Sequence, residues 1–240
     1  MPQLPWLDES ASPNVLPCGD RALQDPNGLL AAGGSLRPEW LLHAYRNGVF
    51  PWYDDNQPIL WWSPDPRAVL RPDELKISRS LRRRIASRVF QVRSDTAFSS
   101  VVSACAAPRD DEGGTWITNE MHAAYCRLHE LGAAHSFESW RDERLVGGLY
   151  GVAIGQVFFG ESMFALESDA SKVAFAAAVA YLRSRNFGLI DCQLPSEHLR
   201  SLGAIEMRRT AFLQEISQLC ANEAWDLHVW TKDFDQFLRN

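Results

Sequence analysis

Three apolar stretches follow one another in the second half of the chain and predict a run of β-strands. They cover residues 134–141, 144–153 and 156–159. The breaks between them are the short turns Asp142-Glu143 and Ile154-Gly155. Strands joined by such short turns pair with their neighbours in the chain. The pattern therefore predicts an antiparallel meander of three strands.

Helical periodicity flanks this meander on both sides. Residues 119–131 carry apolar side chains three or four positions apart, as one face of a helix requires: Met121, Tyr125, Leu128 and Leu131. Residues 171–185 form a second helix, for which Ser168 or Asp169 is the predicted N-cap. Its apolar run is only ten residues long. A membrane span needs roughly 20, so we expect a buried helix and no membrane partner.

Shorter elements complete the pattern. Strands are predicted at residues 68–70, near 90–93 and at 189–192. Helices are predicted at residues 38–47, 98–106 and 196–202, followed by a last pair of short strands. The predicted fold class is therefore α+β with a mostly antiparallel sheet.

A change of character near Pro64-Asp65-Pro66 predicts two domains. The chain before it is rich in turn signals, such as Asp25-Pro-Asn-Gly28 and Gly33-Gly-Ser35, and holds one short helix. Residues 1–66 are therefore predicted to form a small, loop-rich N-terminal domain. Residues 67–240 contain the meander and form the larger domain.

Composition narrows the class of protein. With 46% hydrophobic and 22% charged residues the chain is typical of globular proteins. Residues 1–10 lack the features of a secretory signal. Five cysteines without a C-x-x-C pair indicate neither a disulfide framework nor a zinc knuckle, which favours the reducing cytoplasm. The closest histidines, His129 and His135, are better explained as helix-end and strand-start residues. No metal and no cofactor are predicted.

Charge leaves room for nucleic acid at one place only. A net charge of −6 excludes a protein that coats nucleic acid over its whole surface, and no DNA partner is predicted. Yet one segment without acidic residues is strongly basic: Lys76, Arg79, Arg82, Arg83, Arg84 and Arg88. On a helix that begins near Ser78, Arg79, Arg82 and Arg83 share one face. That face either follows a phosphate backbone or is simply solvated, and the segment alone leaves both interpretations open.

Polar groups near strand ends are the candidate chemistry. In Ile190-Asp191-Cys192-Gln193 strand alternation predicts that Asp191 and Gln193 face one way and Cys192 the other. Glu161 follows Gly160 within the aromatic run of residues 157–164. A carboxylate there is costly unless it binds something. The alternative is that Glu161 caps a turn and Asp191 caps the next helix.

Tryptophans crowd the neighbourhood of the basic segment: Trp52, Trp61 and Trp62 precede it and Trp116 follows. Indole rings stack on nucleobases with roughly 1–3 kcal/mol per base. Most tryptophans are nevertheless core residues, so composition assigns no stacking role.

The order of elements resembles the Gcn5-related N-acetyltransferase fold, which suggests acyl transfer. Its coenzyme A members bind pyrophosphate through Arg/Gln-x-x-Gly-x-Gly/Ala at a helix N-terminus. The nearest string, Arg144-Leu-Val-Gly147-Gly-Leu149, ends differently and lies inside a predicted strand. An acetyl-coenzyme A enzyme is therefore disfavoured.

Several rare strings occur together and in order, and they identify a closer family resemblance. They are Gly48-Val-Phe-Pro-Trp52, Trp61-Trp-Ser-Pro-Asp-Pro-Arg67, Gly114-Thr-Trp-Ile-Thr118, Gly160-Glu-Ser-Met-Phe164, Ala170-Ser-Lys172 and Ile190-Asp-Cys-Gln193. Over residues 27–212 the chain resembles the leucyl/phenylalanyl-tRNA–protein transferases. The resemblance implies transfer of leucine, phenylalanine and, less efficiently, methionine from aminoacyl-tRNA to proteins with N-terminal arginine or lysine. The product would be an N-end rule degradation signal.

The resemblance also implies binding residues. Trp52 and Trp116 match tryptophans around the terminal adenosine of the tRNA, and Leu149, Met163 and Phe175 match the pocket for the aminoacyl side chain. Leu149 stands where methionine is usual and Phe175 where leucine is usual, which leaves the preference between leucine and phenylalanine open. Phosphate contact is expected from the basic segment: Lys76, Arg79, Arg82, Arg83 and Arg84.

The resemblance further implies catalytic roles for three residues. The Gln193 carbonyl accepts a hydrogen bond from the attacking amine, Asp191 orients or polarises Gln193, and Glu161 helps hold the basic acceptor terminus. A neutral amide is a weak base, so a proton shuttle through the ribose hydroxyl stays open as an alternative. A non-catalytic tRNA-binding module is the remaining rival, and it leaves these three residues without a task.

Overall fold

The computed structural model describes residues 4–107, 117–222 and 230–239, which form two β-sheets and the helices around them. The smaller sheet belongs to the first part of the chain. Its strands are β1 (Trp6–Leu7), β2 (Leu29–Gly33), β3 (Phe50–Pro51) and β4 (Leu60–Trp62), in the order β1-β2-β4-β3. Helix α1 (Pro38–Arg46) connects β2 to β3 and buries Trp40, Leu41, Ala44 and Tyr45.

The larger sheet has seven strands and carries the site described below. In chain order they are β5 (Arg67–Leu70), β6 (Gln91–Ser94), β7 (Ala134–Arg141), β8 (Arg144–Ile154), β9 (Val157–Ala165), β10 (Leu189–Gln193) and β11 (Ile205–Met207). Their order in the sheet is β11-β5-β10-β9-β8-β7-β6. Every pair of neighbours is antiparallel except β9 and β10. The predicted α+β class with a mostly antiparallel sheet is confirmed.

Helices cover both faces of this sheet. They are α2 (Arg79–Ala86), α3 (Phe98–Ala106), α4 (Asn119–Glu130), α5 (Ala170–Ser184), α6 (Glu197–Ser201), α7 (Arg209–Leu219) and α8 (Trp230–Arg239). Alternation along β8 separates two cores. Tyr150 and Val152 pack with α1, α3 and α4, whereas Leu149 and Ala153 pack with α5 and α8.

Close contact between α5 and the sheet depends on Gly147 in β8. A Cβ atom at this position would lie 2.6 Å from the Ala170 Cβ, so any larger residue would push the start of α5 away from β8. Because α5 carries Phe175, this contact also sets one wall of the site.

The predicted meander is confirmed as β7, β8 and β9, with two corrections nearby. β9 runs to Ala165 rather than ending at Phe159, so Glu161 lies inside a strand. Leu131 lies just past the end of α4 and is 44% exposed, so it does not belong to the buried face of that helix.

One further expectation was wrong. In place of a last pair of short strands, the described residues after α6 contain the single strand β11 and then the helices α7 and α8. Asp169 is the N-cap residue of α5, one of the two predicted, but its backbone is left-handed and its side chain accepts no capping hydrogen bond. Its carboxylate binds the Lys172 ammonium at 3.0 Å instead.

The two sheets share a core. The Tyr45 ring of α1 packs against Phe159 of β9 with ring centroids 5.2 Å apart. Arg209 at the start of α7 donates a hydrogen bond to the Ser63 carbonyl at 2.6 Å. The domain boundary at residue 66 stays a prediction. Among the described residues no helix is long and apolar enough to cross a membrane.

Candidate active site

A pocket opens where the parallel strands β9 and β10 separate. The two strands pair only from Leu189 opposite Val157 to Asp191 opposite Phe159. Beyond this point β9 continues beside β8, while β10 ends. The pocket lies in the space between β9 and the last residues of β10, just beyond the point where the two strands stop pairing.

Two β-bulges lie at this point. Glu161 is the extra residue of β9 opposite β8, where the pairing steps from Gly160 to Ser162. Cys192 is the extra residue of β10 opposite β5, where the pairing steps from Asp191 to Gln193. A bulge interrupts the ladder and changes the direction of the side chains beside it. Strict alternation was therefore a wrong expectation here, and Cys192 lines the same pocket as Asp191 and Gln193.

The cavity has a volume of about 460 Å³, within the range common for small-ligand sites. Most of its lining is apolar: Trp52, Leu149, Phe158, Met163, Phe175 and Leu199. The polar part comprises Glu161, Asp191 and Gln193 together with Ser162, Ser196 and His198. The structure thus brings together every predicted catalytic and substrate-binding residue that it describes. Trp116 lies outside the described residues.

Asp191 is bound on both oxygens by Arg67 of β5. Arg67 Nε donates to Oδ1 at 2.8 Å and a terminal nitrogen donates to Oδ2 at 2.7 Å, and both side chains are almost fully buried. The guanidinium lies 4.7 Å from the ring centres of Phe50 and Phe212. This bidentate geometry and the flanking rings compensate for the loss of water around two charges.

Asp191 also determines the backbone of Gln193. Its Oδ1 accepts the Gln193 N–H at 2.9 Å, and Gln193 has a left-handed φ of 61°. The alternative that Asp191 caps the next helix is wrong, because Ser196 Oγ caps α6 by accepting from the Leu199 N–H. Asp191 is therefore occupied by Arg67 and by its own strand end.

Glu161 accepts hydrogen bonds from two neutral partners. Tyr125 of α4 donates its hydroxyl proton to Oε2 at 2.5 Å, and the Gln193 Nε2 group donates to Oε1 at 2.8 Å. The Tyr45 hydroxyl lies 2.7 Å from that of Tyr125. Glu161 therefore does not cap a turn; it connects Gln193 to two buried tyrosines.

The surroundings of Glu161 bring the pKa of its carboxyl close to neutrality. Burial raises the pKa of its carboxyl to about 7, against the opposing effect of the Tyr125 and Tyr45 hydroxyls. The charge of Asp191 raises this pKa further, and that of Arg67 lowers it. Burial also raises the pKa of both tyrosines well above the usual value, so they stay protonated at neutral pH. Glu161 is thus the group of this network that titrates near neutrality.

The predicted tryptophans divide between surface and core. Trp52 lies at the pocket and is 40% exposed, with its ring edge-on to Trp62 at 5.5 Å. Trp62 donates its indole N–H to the Trp52 carbonyl at 2.7 Å, which holds the β3–β4 hairpin beside the pocket. Trp61 is fully buried and packs on Trp40. Of the predicted tryptophans that the structure describes, Trp52 is exposed, Trp62 is half-buried and Trp61 belongs to the core.

Helix α2 begins after Ser78, whose hydroxyl caps it by accepting from the Leu81 N–H. Arg79, Arg82 and Arg83 are exposed and line one shallow concavity. Within the described part of the chain no ion pair involves these three side chains. Lys76 is exposed just before the helix. Arg84 differs from them, because it lies on the Phe90 ring and 3.9 Å from the Asp169 carboxylate.

Sequence reasoning missed three members of the site: Arg67, Tyr45 and Tyr125. Arg67 closes one of the recognised strings but reaches a partner 124 residues away. Tyr125 was predicted only as a core residue of its helix. It is indeed buried, but its hydroxyl also donates a hydrogen bond to Glu161. The sequence signal that could have found the tyrosines is a hydroxyl on the apolar face of a helix, because a buried hydroxyl needs a hydrogen-bond partner.

Asp95, His129 and His135 form the one group of potential metal ligands among the described residues. Their atoms already have partners. His135 Nδ1 lies 2.7 Å from Asp95 Oδ2, and His129 Nδ1 lies 2.8 Å from the Ala134 carbonyl. The absence of a metal stays a prediction. Arg144-Leu-Val-Gly147-Gly-Leu149 lies within β8 as expected, so it opens no helix.

Sequence comparison identifies the class and then the family. The chain matches the family described as leucyl/phenylalanyl-tRNA protein transferase over residues 69–217, and that family's N-terminal domain over residues 34–65. It is therefore a transferase with an aminoacyl-tRNA donor. The chain belongs to the leucyl/phenylalanyl-tRNA–protein transferase family.

Relatives agree along most of their length. The chain is 61% identical over 210 residues to the leucyl/phenylalanyl-tRNA–protein transferase of Azoarcus sp. (strain BH72), covering 87% of this chain and 88% of the relative. It is 51% identical to that of Saccharophagus degradans, covering 98% and 99%. A GCN5-related N-acetyltransferase from Kribbella flavida is similar in structure with a TM-score of 0.35 and 12% identity, covering 71% of this chain and 61% of that one. Family membership rests on the sequence relatives.

Proposed function

We propose that this chain moves leucine, phenylalanine and, less efficiently, methionine from aminoacyl-tRNA to proteins that begin with arginine or lysine. The observation that carries the proposal is one pocket in which an apolar lining meets the linked polar groups of Glu161 and Gln193. Such a pocket accepts an uncharged amino-acid side chain beside hydrogen-bonding groups that can receive an amine.

The apolar lining is the proposed site for the transferred residue. Leu149 and Phe175 are buried side chains from facing elements, β8 and α5, and Met163 of β9 lies beside them. A lining without charged groups grades apolar side chains by size, at roughly 1–3 kcal/mol per methylene, rather than excluding one of them. Trp52 is the proposed stacking surface for the terminal adenosine, because its ring is exposed at the pocket.

The chemistry needs positioning and one acceptor for a hydrogen bond. An aminoacyl ester is already activated, and an α-amino group with a pKa of about 8 is partly unprotonated at neutral pH. The amine nitrogen attacks the ester carbonyl, the bond to the ribose oxygen breaks, and the amine's proton finally resides on that oxygen. In this proposal Gln193 Oε1 accepts a hydrogen bond from the amine, and Glu161 adds negative charge near the basic acceptor.

Asp191 has a different task from the other two. Because Arg67 and the Gln193 N–H occupy its carboxylate, it is proposed as a positioning residue that holds Gln193 in place rather than as a proton acceptor. This geometry supports the orienting role of Asp191 over a direct one.

Basic side chains offer a route for the tRNA from α2 to the pocket. Arg84 and Lys172 both contact Asp169, and Lys172 is near enough to lower the pKa of His198, after the larger effect of burial. His198 lines the pocket. We infer that the acceptor stem follows α2 through Lys76, Arg79, Arg82, Arg83 and Arg84, with its end reaching the pocket past Lys172.

The product would be an N-end rule degradation signal, and the enzyme would work in the cytoplasm, where charged tRNAs are made and used. The five cysteines have no disulfide partner, as a reducing compartment requires. The division into residues 1–66 and 67–240 belongs to the same proposal, with Trp52 supplied by the first part and the polar groups by the second.

Mass spectrometry of peptides tests the function directly. Otherwise identical peptides beginning with arginine, lysine or alanine are incubated with the purified chain and leucyl-tRNA or phenylalanyl-tRNA. The expected result is addition of one leucine or phenylalanine to the arginine and lysine peptides only. Unmodified peptides beside tRNA that is still charged would refute the proposal, and tRNA binding without transfer would point to a binding module.

A further inference from the structure

Tyr45 and Tyr125 connect the first part of the chain to the candidate catalytic amide through hydrogen bonds. Tyr45 comes from α1 and Tyr125 from α4, and both are fully buried. Their hydroxyls lie 2.7 Å apart, Tyr125 reaches Glu161, and Glu161 reaches Gln193. The network thus consists of four side chains, one each from α1, α4, β9 and β10, and it ends at the pocket.

The direction of each hydrogen bond follows from the number of protons available. An ionised carboxylate only accepts, and a tyrosine hydroxyl has one proton to donate. Tyr125 therefore gives its proton to Glu161 and must accept from Tyr45. Gln193 likewise must turn its NH₂ group to Glu161, so its carbonyl oxygen Oε1 points away from Glu161.

The opposite charge state removes this order. A protonated Glu161 carries a proton of its own and can donate it to Gln193 Oε1. The Gln193 amide is then free to turn its NH₂ group toward the pocket. An NH₂ group only donates hydrogen bonds, so it cannot accept one from the incoming amine. Which face of Gln193 meets the substrate therefore depends on the charge of Glu161.

We propose that Tyr45 and Tyr125 are positioning residues of the transfer reaction, which keep Glu161 ionised and thereby keep the Gln193 amide oxygen turned toward the acceptor amine. This inference rests on the proposed function. Other groups facing Glu161 are Tyr150 of β8, Asp191 of β10 and Arg67 of β5. Tyr150 is a buried tyrosine without a hydrogen-bonded oxygen within the described residues, and Asp191 binds Arg67 and the backbone N–H of Gln193 rather than Glu161.

The test replaces each tyrosine by phenylalanine and follows transfer of leucine from leucyl-tRNA to an arginine peptide between pH 6 and 9. Tyr125→Phe should lower the single-turnover rate by roughly tenfold or more near pH 7, the scale of a misplaced proton acceptor. KM for both substrates should stay within about twofold, because neither tyrosine touches the substrate. The deficit should shrink toward pH 9, where Glu161 ionises without help. Tyr45→Phe should act in the same direction and less strongly.

Tyr181→Phe is the matched control. Tyr181 is also a buried tyrosine that donates to a carboxylate, Asp233, at 2.7 Å, but it lies between α5 and α8. The Tyr181→Phe variant should be less stable than the parent, but its transfer rate should show no pH-dependent loss. The ionisation of the peptide amine is common to all variants, so the ratio of variant to parent rates isolates the enzyme's own group.

A direct readout uses the ¹³C resonance of the Glu161 carboxyl. Its titration midpoint should be near 7 in the parent and higher in Tyr125→Phe. In a Glu161→Gln background Tyr125→Phe should no longer change the shape of the pH profile. An unaltered midpoint, or equal rate losses at every pH, would overturn the inference. If the parent itself transfers nothing, the proposed function fails; if only the tyrosine effects are missing, this inference alone fails.

Discussion

The pocket and helix α2 use the same type of residue in opposite ways. Beside the pocket Arg67 binds Asp191 and is buried, bidentate and flanked by two aromatic rings. On α2 the side chains of Arg79, Arg82 and Arg83 are exposed, and no ion pair engages them within the described part of the chain. A buried guanidinium is held by its partners and stabilises an arrangement, whereas an exposed one keeps its charge available to a ligand. The two regions therefore respond differently to loss of charge.

Loss of the buried charge is expected to have the largest effect. Arg67→Met leaves the Asp191 carboxylate buried without a charged partner, which costs about 3–5 kcal/mol of unfolding free energy. Urea unfolding measures this loss, and transfer activity should fall with it. Arg71→Met is the control, because the Arg71–Glu215 pair is partly exposed and its loss costs at most about 1 kcal/mol. Equal losses for the two variants would remove the distinction between buried and exposed pairs.

Glu161 provides the second test, because neutral donors rather than an arginine hold it. Its pKa in the folded state is about 7, above the usual 4.5, so the folded protein binds the extra proton between these values. This contribution to stability is present below pH 4.5 and is lost as pH rises through 7. Between pH 5 and 8 the parent should therefore lose roughly 2–3 kcal/mol relative to Glu161→Gln.

Unfolding at a series of pH values measures this difference. Glu143→Gln is the matched control, since Glu143 lies on the surface beside Arg93 and is 78% exposed. A parent and a Glu161→Gln variant with parallel stability curves would show that Glu161 is ionised like a surface carboxylate.

A third test separates the apolar lining from the charged groups. Phe175→Leu shortens a buried side chain of the pocket and should favour the larger donor, so that kcat/KM for phenylalanine rises about tenfold relative to leucine. Competition between the two charged tRNAs measures the ratio. Val179→Ala truncates a buried residue one turn further along α5 and should leave the ratio unchanged. An unaltered ratio in Phe175→Leu would exclude this wall from selecting the donor.

The smallest effect is expected on α2. Replacing Arg82 and Arg83 together by serine should raise KM for the tRNA several-fold, weaken its salt dependence by up to about one unit of slope per lost phosphate contact, and leave stability unchanged. Arg127→Ser is the control, because Arg127 is an exposed helical arginine paired with Glu130 on α4. If Arg127→Ser weakens tRNA binding as much as the double variant, α2 is not a special contact.

Much of the architecture was predictable because its causes are local. The turns at Asp142-Glu143 and Gly155-Gln156 join the strands of the meander, the second of them one residue later than predicted, and Ser78 marks the start of the basic helix. Polar positions near strand ends marked Glu161, Asp191 and Gln193 as candidates, and the rare strings that the family shares implied their roles. The bulges at Glu161 and Cys192 were not predictable, because each depends on how neighbouring strands align and not on the residue itself.

By itself the sequence determined the α+β class, most helices and strands, the basic face of α2 and membership of the family. These properties rest on periodicity, capping and strings within short stretches of chain. Only the tertiary structure decided that Arg67 binds Asp191 and that Tyr45, Tyr125, Glu161 and Gln193 form one hydrogen-bonded network. The physical reason is that a buried polar group must find a partner, and the fold brings that partner from a distant part of the chain.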